Sequence, residues 1–216
     1  MTAVYLTYMR IMRTTKTQKM ELYSGLILLK YKLMQSNLLS LEDKVKQSIR
    51  EVPDFPKPGI NFKDITTLLQ DIELFNEVME HFTRELKTEN IHHIIGIESR
   101  GFIFAVPLAM KLNVPFIPVR KPNKLPADTI RETYALEYGE DSLEIHLDAF
   151  KHRPNENVLI VDDLLATGGT ALATSKLVTQ LGAAKVSFLS LIELSFLNGR
   201  KKLESAGLEV KSLIKY

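Results

Sequence analysis

Two adjacent carboxylates precede a glycine-rich turn in the most informative segment of the chain. The apolar run 158–161 predicts a short buried strand, which Asp162 and Asp163 close. Small residues then form a turn that leads into helical spacing: Ala166, Thr167, Gly168, Gly169 and Thr170. Backbone N–H groups at the start of a helix have no partner within it and lie at the positive end of its dipole. The segment therefore predicts a phosphate-binding site.

The two carboxylates add a second function beside the phosphate. Asp162 and Asp163 can accept hydrogen bonds from vicinal hydroxyls or help to hold Mg²⁺. A site that binds a phosphate, a pair of vicinal hydroxyls and a metal ion together fits a phosphorylated ribose. The chain has neither the Gly-Lys-Ser/Thr of a P-loop nor a Gly-x-Gly-x-x-Gly after a strand, so these two nucleotide-binding motifs are excluded.

The surrounding pattern predicts an α/β fold. Strands are predicted at residues 92–97, 116–119, 158–161 and 186–191, and helices at residues 74–86, at 102–112 and from Thr170. This alternation implies right-handed crossovers and a parallel sheet covered on both faces. Ser40 is the predicted N-cap of an earlier helix, and alternating residues at 133–138 and 143–147, on either side of 139–141, predict a β-hairpin.

Polar residues follow three of the predicted strands directly. They are Glu98-Ser99-Arg100, Arg120-Lys121 and Asp162-Asp163. Because ligands gather at the carboxyl ends of parallel strands, these segments are expected to meet at one edge of the sheet.

The phosphate segment resembles the signature of the type I phosphoribosyltransferases. Four further blocks match the adenine phosphoribosyltransferase family specifically: residues 54–65 (DFPKPGINFKDI), 98–102 (ESRGF), 120–126 (RKPNKLP) and 136–139 (LEYG). The similarity covers about residues 38 to 216. It implies a mostly parallel central sheet flanked by helices, a β-hairpin that acts as a flexible loop, and a small hood formed by the N-terminal segment.

The resemblance assigns residues to both phosphate groups of phosphoribosyl pyrophosphate. The turn 166–170, with Asp162 and Asp163, is expected to hold the 5-phosphate and ribose, and Mg²⁺ is expected to enter with the substrate. The expected pyrophosphate-binding residues are Glu98, Ser99, Arg100, Arg120, Lys121 and Lys124. Arg131 belongs to the same basic cluster. The resemblance also implies a non-proline cis peptide at Glu98-Ser99.

Proton transfer and base recognition are assigned in the same way. Glu137 is the expected catalytic base, with Tyr138 covering the site; Glu132 is the competing carboxylate. Read without the resemblance, the alternation around Glu137 also fits a plain strand with this side chain facing solvent. The expected adenine-binding residues are Asn61, Phe62, Lys63 and Leu164, with Phe62 stacking on the base and backbone groups reading its edge. A backbone carbonyl accepts a hydrogen bond from a 6-amino group but repels a 6-oxo group, which favours adenine.

The predicted function is the formation of AMP and pyrophosphate from adenine and phosphoribosyl pyrophosphate. The alternatives are a 6-oxopurine transferase, specific for xanthine or guanine, and a non-catalytic regulator that senses phosphoribosyl pyrophosphate. A cytoplasmic homodimer that binds neither nucleic acid nor membrane is expected. The histidines lack the spacing of metal ligands and are interpreted as structural.

Charge separates residues 1–37 from the rest of the chain. They carry six of the 28 basic residues and one of the 26 acidic ones, which leaves a net charge of −3 on residues 38–216. Residues 1–37 are therefore predicted to be an extension, and residues 38–216 the catalytic domain. The extension has three open interpretations: a misassigned start with Met20 or Met34 as the true one, a surface helix, or a transit peptide.

The chain has no cysteine, which excludes disulfides and a thiolate nucleophile.

Overall fold

The computed structural model describes residues 39–135, 139–150 and 156–216. The chain divides after Gln47 into two compact units, and the first is described only from residue 39 onward. Helix α1 (Leu41–Ser48) begins where the sequence predicts, because the Ser40 hydroxyl oxygen accepts a hydrogen bond of 3.1 Å from the Asp43 N–H. The predicted boundary between residues 37 and 38 lies outside the described residues.

Nine strands and five α-helices follow α1 in the described part of the chain. The strands are β1 (Arg50–Val52), β2 (Phe62–Asp64), β3 (His93–Ile97), β4 (Phe116–Val119), β5 (Thr129–Ala135), β6 (Glu140–His146), β7 (Asn157–Leu165), β8 (Lys185–Glu193) and β9 (Glu209–Lys215). The helices are α2 (Thr66–Gln70), α3 (Ile72–Leu86), α4 (Gly101–Leu112), α5 (Gly169–Gln180) and α6 (Gly199–Ser205). Among the described residues, no helix is both long and apolar enough to cross a membrane.

A five-stranded parallel sheet forms the centre, with the strand order β4-β3-β7-β8-β9. Alternate residues of its strands, such as Ile95, Ile160 and Phe188, pack in one buried cluster with Leu177 of α5 and Leu203 of α6. The intervening residues are buried as well; they include Ile94, Leu159 and Leu189. Side chains on successive strand residues point to opposite faces, so both faces of the sheet are covered. The predicted architecture is confirmed.

Two small antiparallel sheets stand beside the central one. Strands β5 and β6 form the predicted hairpin, although β5 begins earlier than predicted, and Glu140 and Asp141 belong to β6 rather than to the turn. Strands β1 and β2 pair from Arg50↔Asp64 to Val52↔Phe62. This second sheet, residues 50–64 with their connecting loop, is called the hood below.

The prediction for β7 was too short. The strand was expected to end at Val161, but it continues through Leu165 because β8 lies beside it and pairs with the added residues, Asp162↔Ser190 among them. Asp162 and Asp163 are therefore residues of the strand itself rather than of the turn that follows it. An apolar run does not reveal this extension, since the neighbouring strand supplies the hydrogen bonds.

Candidate active site

The glycine-rich turn lies between the end of β7 and the start of α5, as predicted. Gly168 is the N-cap of α5 with φ of +74°, a conformation that favours glycine, and the helix begins at Gly169. The turn is supported by Gly199, the first residue of α6, where an added Cβ would lie 2.1 Å from the Ala166 carbonyl oxygen. The sequence analysis missed this support. The first N–H groups of α5 thus lie at a turn whose backbone packs tightly against Gly199.

Asp162 and Asp163 meet a third residue at this edge. A carboxylate oxygen of Asp162 accepts a hydrogen bond of 2.9 Å from the Asp163 N–H. Burial raises the pKa of Asp162 well above its ordinary value, and the neighbouring Asp163 charge raises it further. The pKa of Asp163 is also raised by burial, while the Arg100 guanidinium, 3.1 Å from its carboxylate, opposes the shift. The two carboxyl groups are held where ionisation is costly.

The segment 98–100 connects β3 to α4 and contains the expected cis peptide at Glu98-Ser99. Its packing against β7 is close, because an added Cβ at Gly101 would lie 2.7 Å from the Val161 carbonyl oxygen. The Glu98 carboxylate accepts two hydrogen bonds of 3.1 Å from Arg120 and one of 3.1 Å from the Lys121 N–H. The hydrogen bonds from Arg120 lower the pKa of Glu98 most. Glu98 therefore orients Arg120.

The basic segment after β4 is organised by carboxylates. Arg120 donates a 2.8 Å hydrogen bond to the Lys124 carbonyl oxygen, and Lys121 forms an ion pair with Asp141 of the hairpin. The buried Glu144 carboxylate accepts hydrogen bonds from Arg131, at 2.9 and 2.5 Å, and from the Asn123 N–H at 2.9 Å. These bonds, those from Arg131 first, lower the pKa of Glu144. The sequence analysis did not single out Asp141 or Glu144.

An apolar cavity of about 420 Å³ opens between the hood and Arg100, a volume typical of small-molecule sites. It is lined by Val52, Phe55, Phe62, Asp64, Ile65, Thr66 and Arg100. The Phe55 ring meets the Phe62 ring edge to face at 5.2 Å, and the Arg100 guanidinium lies 5.3 Å from the Phe62 ring centre. Of the four expected adenine-binding residues, Phe62 lines this cavity. Sequence reasoning missed Val52, Phe55 and Ile65.

The other expected adenine-binding residues do not line the cavity. The side chains of Asn61 and Lys63 bind Glu51 of β1, with the Asn61 amide 2.9 Å from its carboxylate. Leu164 is a half-buried residue of β7. The hood itself is fastened by Asp64, whose pKa is lowered to about 2 by hydrogen bonds from the Thr66 N–H and then from Arg50.

The expected catalytic residues Glu137 and Tyr138 lie outside the described residues, between β5 and β6. The competing carboxylate, Glu132 of β5, forms an ion pair of 2.8 Å with Lys176 of α5. Beside it, the Tyr134 hydroxyl lies 3.2 Å from the Thr170 hydroxyl and 3.1 Å from the Asp141 carboxylate. The hairpin therefore contacts the phosphate turn directly.

Two of the described histidines are held by residues of the core. His93 is buried, contacts the Glu156 carboxylate and meets the Phe150 ring edge to face at 5.1 Å. His92 accepts a 3.0 Å hydrogen bond from the Asn157 N–H. His152 lies outside the described residues. Within the part of the chain that the structure describes, no group of three or more His, Cys, Asp or Glu side chains could hold a metal ion.

The parallel sheet, the phosphate turn and the paired carboxylates define a phosphoribosyltransferase domain. The family described as "Phosphoribosyl transferase domain" matches residues 64–212. Adenine phosphoribosyltransferase of Anaeromyxobacter dehalogenans (strain 2CP-1 / ATCC BAA-258) is 54% identical over 174 residues, which are 81% of this chain and 99% of that protein. The chain belongs to the adenine phosphoribosyltransferase family.

Solved structures support the same assignment. The crystal structure of adenine phosphoribosyltransferase from Thermoanaerobacter pseudethanolicus matches with a TM-score of 0.74 at 50% identity, covering 82% of this chain and all (100%) of that one. The enzyme from Trypanosoma brucei, solved in complex with AMP, pyrophosphate and ribose-5-phosphate, matches with a TM-score of 0.74 at 27% identity. That match covers 81% of this chain and 79% of the other.

Proposed function

We propose that this protein is a purine salvage enzyme that transfers the 5-phosphoribosyl group from phosphoribosyl pyrophosphate to N9 of adenine. The products are AMP and pyrophosphate. One observation carries the proposal: Arg100 touches both the Asp163 carboxylate beside the phosphate turn and the Phe62 ring of the apolar cavity. A ribose site and a base site are therefore adjacent, as bond formation between the two substrates requires. The relatives described above support adenine as the base.

The phosphate turn, residues 166–170, binds the 5-phosphate in this proposal. Its N–H groups lie at the start of α5, and the hydroxyl groups of Thr167 and Thr170 add donors. Asp162 and Asp163 accept hydrogen bonds from the ribose hydroxyls. The buried Asp163 Oδ2 atom is ion-paired with Arg100 at 3.1 Å but accepts no hydrogen bond, so a ribose hydroxyl can donate one to it. When bound with the substrate, Mg²⁺ would neutralise charge on the pyrophosphate leaving group.

The pyrophosphate is bound at the second anion site, between the segment 98–100 and the basic residues after β4. Arg120, Lys121 and Lys124 supply positive charge there, and the backbone of Ser99 and Arg100 supplies N–H donors before α4. Glu98 fixes the plane of the Arg120 guanidinium through two parallel hydrogen bonds. This orientation prepares Arg120 to meet phosphate oxygens.

Adenine occupies the apolar cavity and stacks on Phe62. Backbone groups of residues 61–63 read its 6-amino edge, and Leu164 packs on the opposite face. As the bond between the ribose C1 and pyrophosphate oxygen breaks, N9 forms its new bond to C1 and loses a proton. Glu137 accepts this proton and Tyr138 helps to cover the site, both assigned from the family resemblance.

The assembly and location extend the proposal. Ile103, Val106 and Met110 are exposed by 36%, 38% and 77% and lie along one face of α4, directly after the pyrophosphate segment. Such an apolar stripe on a helix fits a subunit contact, so a homodimer with a contact next to each active site is proposed. The cytoplasm is the proposed location, in keeping with the cysteine-free sequence.

A pyrophosphate-release assay with four bases in parallel tests the function. Adenine, hypoxanthine, guanine and xanthine are each supplied with phosphoribosyl pyrophosphate and Mg²⁺. Turnover with adenine is expected to exceed turnover with each 6-oxopurine by orders of magnitude. In a 6-oxopurine the 6-oxo oxygen would face the backbone carbonyl oxygen, and two hydrogen-bond acceptors repel each other. Preference for a 6-oxopurine, or binding of phosphoribosyl pyrophosphate without turnover of any base, would overturn the proposal.

A further inference from the structure

The two sides of the hood strand β2 have different contacts: one lines the apolar cavity and the other binds β1. Phe62 and Asp64 line the apolar cavity, and strand alternation places the side chains of Asn61 and Lys63 on the opposite side. There both bind Glu51 of β1: the Asn61 amide donates a 2.9 Å hydrogen bond, and the Lys63 ammonium forms an ion pair. One carboxylate thus holds the two residues that flank the stacking residue Phe62.

The Lys63 ammonium has a second partner. Only 8% of its side chain is exposed, while 52% of the Glu51 side chain is exposed, so the ion pair is partly screened by water. The ring of Tyr216 lies on the other side of the ammonium, 4.0 Å from the ring centre. An aromatic face stabilises a desolvated cation, which bare apolar surroundings would not.

Tyr216 is fixed to the central sheet. Its N–H donates a 2.9 Å hydrogen bond to the Glu193 carbonyl oxygen of β8, and a main-chain oxygen of Tyr216 accepts one of 2.9 Å from the Ser195 N–H. Strand β8 in turn pairs with β7, which carries Asp162 and Asp163. The contact between Lys63 and Tyr216 therefore connects the strand beside the base cavity with the sheet that carries the proposed ribose site.

We infer that Tyr216 and Glu51 are positioning residues for base recognition. Both bind the Lys63 side chain on the side of β2 that faces away from the cavity. They thereby fix the backbone of residues 61–63 and the Phe62 ring relative to the proposed ribose site. This inference rests on the proposed function. Neither residue touches the base; each acts through Lys63.

The substitution Tyr216→Leu removes the aromatic face and keeps an apolar side chain. The KM for adenine is expected to rise about three- to tenfold, within the range that a partly desolvated cation–π contact supplies. The KM for phosphoribosyl pyrophosphate is expected to stay within about twofold of the parent, because the phosphate turn and the segment 98–100 are untouched. Tyr216→Phe keeps the ring face and is expected to restore the parent KM for adenine.

A matched control uses a neighbouring aromatic residue. Phe196 lies in the turn that follows β8 and is 69% exposed, so Phe196→Leu makes the same type of change beside Tyr216. It is expected to leave both KM values unchanged. Glu51→Gln keeps an acceptor for Asn61 but removes the charge opposite Lys63, and a rise in the KM for adenine is expected here too.

Amide hydrogen exchange at residues 60–64 provides a readout that does not depend on turnover. Exchange there is expected to be faster in Tyr216→Leu than in the parent or in Phe196→Leu, with exchange in β7 unchanged. Equal exchange at 60–64, a parallel rise in both KM values, or the same effect from Phe196→Leu would overturn the inference. If the parent fails to turn over adenine, the proposed function fails, and the exchange measurement still decides whether Tyr216 positions the hood.

Discussion

A guanidinium nitrogen of Arg100 lies 3.1 Å from a carboxylate oxygen of Asp163. The pair joins the segment after β3 to the strand β7, and the same guanidinium stands over the Phe62 ring. Arg100 is therefore placed where the proposed base, ribose and pyrophosphate sites meet. Its charge also offsets the burial of Asp163, whose pKa is raised in spite of it.

Arg100→Gln is expected to weaken both folding and substrate binding. It leaves the Asp163 carboxylate buried without its cation, a change that costs about 3–5 kcal/mol in a fully buried pair. Because 35% of the Arg100 side chain is exposed, we expect a smaller loss in the free energy of unfolding, about 1–3 kcal/mol. Urea denaturation measures it, and calorimetry is expected to show weaker binding of phosphoribosyl pyrophosphate. Arg84→Gln, on the exposed side of α3, is the control and should change neither; equal losses in both variants would refute this role.

Asp162→Asn is expected to stabilise the protein while it weakens binding of phosphoribosyl pyrophosphate. A carboxyl group whose pKa is raised on folding holds its proton more tightly in the folded chain, so folding is disfavoured as pH rises above the ordinary value of 3.8 towards the raised one. Asparagine removes this titration and the repulsion from Asp163. The gain in the free energy of unfolding is expected to be about 0.5–2 kcal/mol at pH 8 and to shrink towards pH 4. Denaturation curves across this pH range check it, and a gain that is absent at pH 8 would contradict the assignment.

Glu137→Gln is expected to reduce turnover by about 10²–10⁴-fold with the dissociation constants of both substrates nearly unchanged. Glutamine keeps the shape of the side chain but cannot accept the N9 proton, and this proton moves only as the new bond forms. Single-turnover rates measure the effect. Glu132→Gln is the control, since Glu132 is engaged by Lys176, and it should have the smaller effect. A more damaging Glu132 variant would move the base to that residue.

Deletion of residues 1–33 is expected to leave folding and turnover essentially unchanged. Every block that carries the family resemblance lies after Ser40, and α1 has its own N-cap. Thermal denaturation and the pyrophosphate-release assay compare the shortened chain with the parent. Loss of soluble protein or a several-fold drop in turnover would show that the extension has a role.

Met110→Glu is expected to weaken subunit association. The residue is 77% exposed, more than Ile103 or Val106 of the same proposed contact, and a charge there would be buried without a partner in the dimer. Analytical ultracentrifugation is expected to show a shift from dimer towards monomer. Gln180→Glu, at the exposed end of α5, adds one negative charge outside the proposed contact and is the control. If the unsubstituted protein sediments as a monomer, the proposed homodimer is wrong.

The sequence by itself determined the central architecture and the phosphate turn. Apolar periodicity is a local property, and it located β3, β4 and α4 within one residue at each end. The turn at 166–170 could be predicted equally well. A glycine with positive φ and the start of a helix are both specified by residues close together in the sequence. Elements near the end of the chain, α6 and β9, were not predicted. The continuation of β7 through both aspartates depended on pairing with β8, which the apolar run does not reveal.

Only the tertiary structure decided which partners the charged residues take. Glu144 reads as an ordinary residue of an alternating strand, yet the fold buries it between Arg131 and the Asn123 N–H, residues 13 and 21 positions away. Lys63 meets Tyr216 only because the hood folds beside the end of β9. Ion pairs and aromatic contacts act over a few ångströms between residues distant in the chain, so no local pattern specifies them. The sequence placed the chemistry on one edge of the sheet, and the packing of the hood, hairpin and sheet determined its geometry.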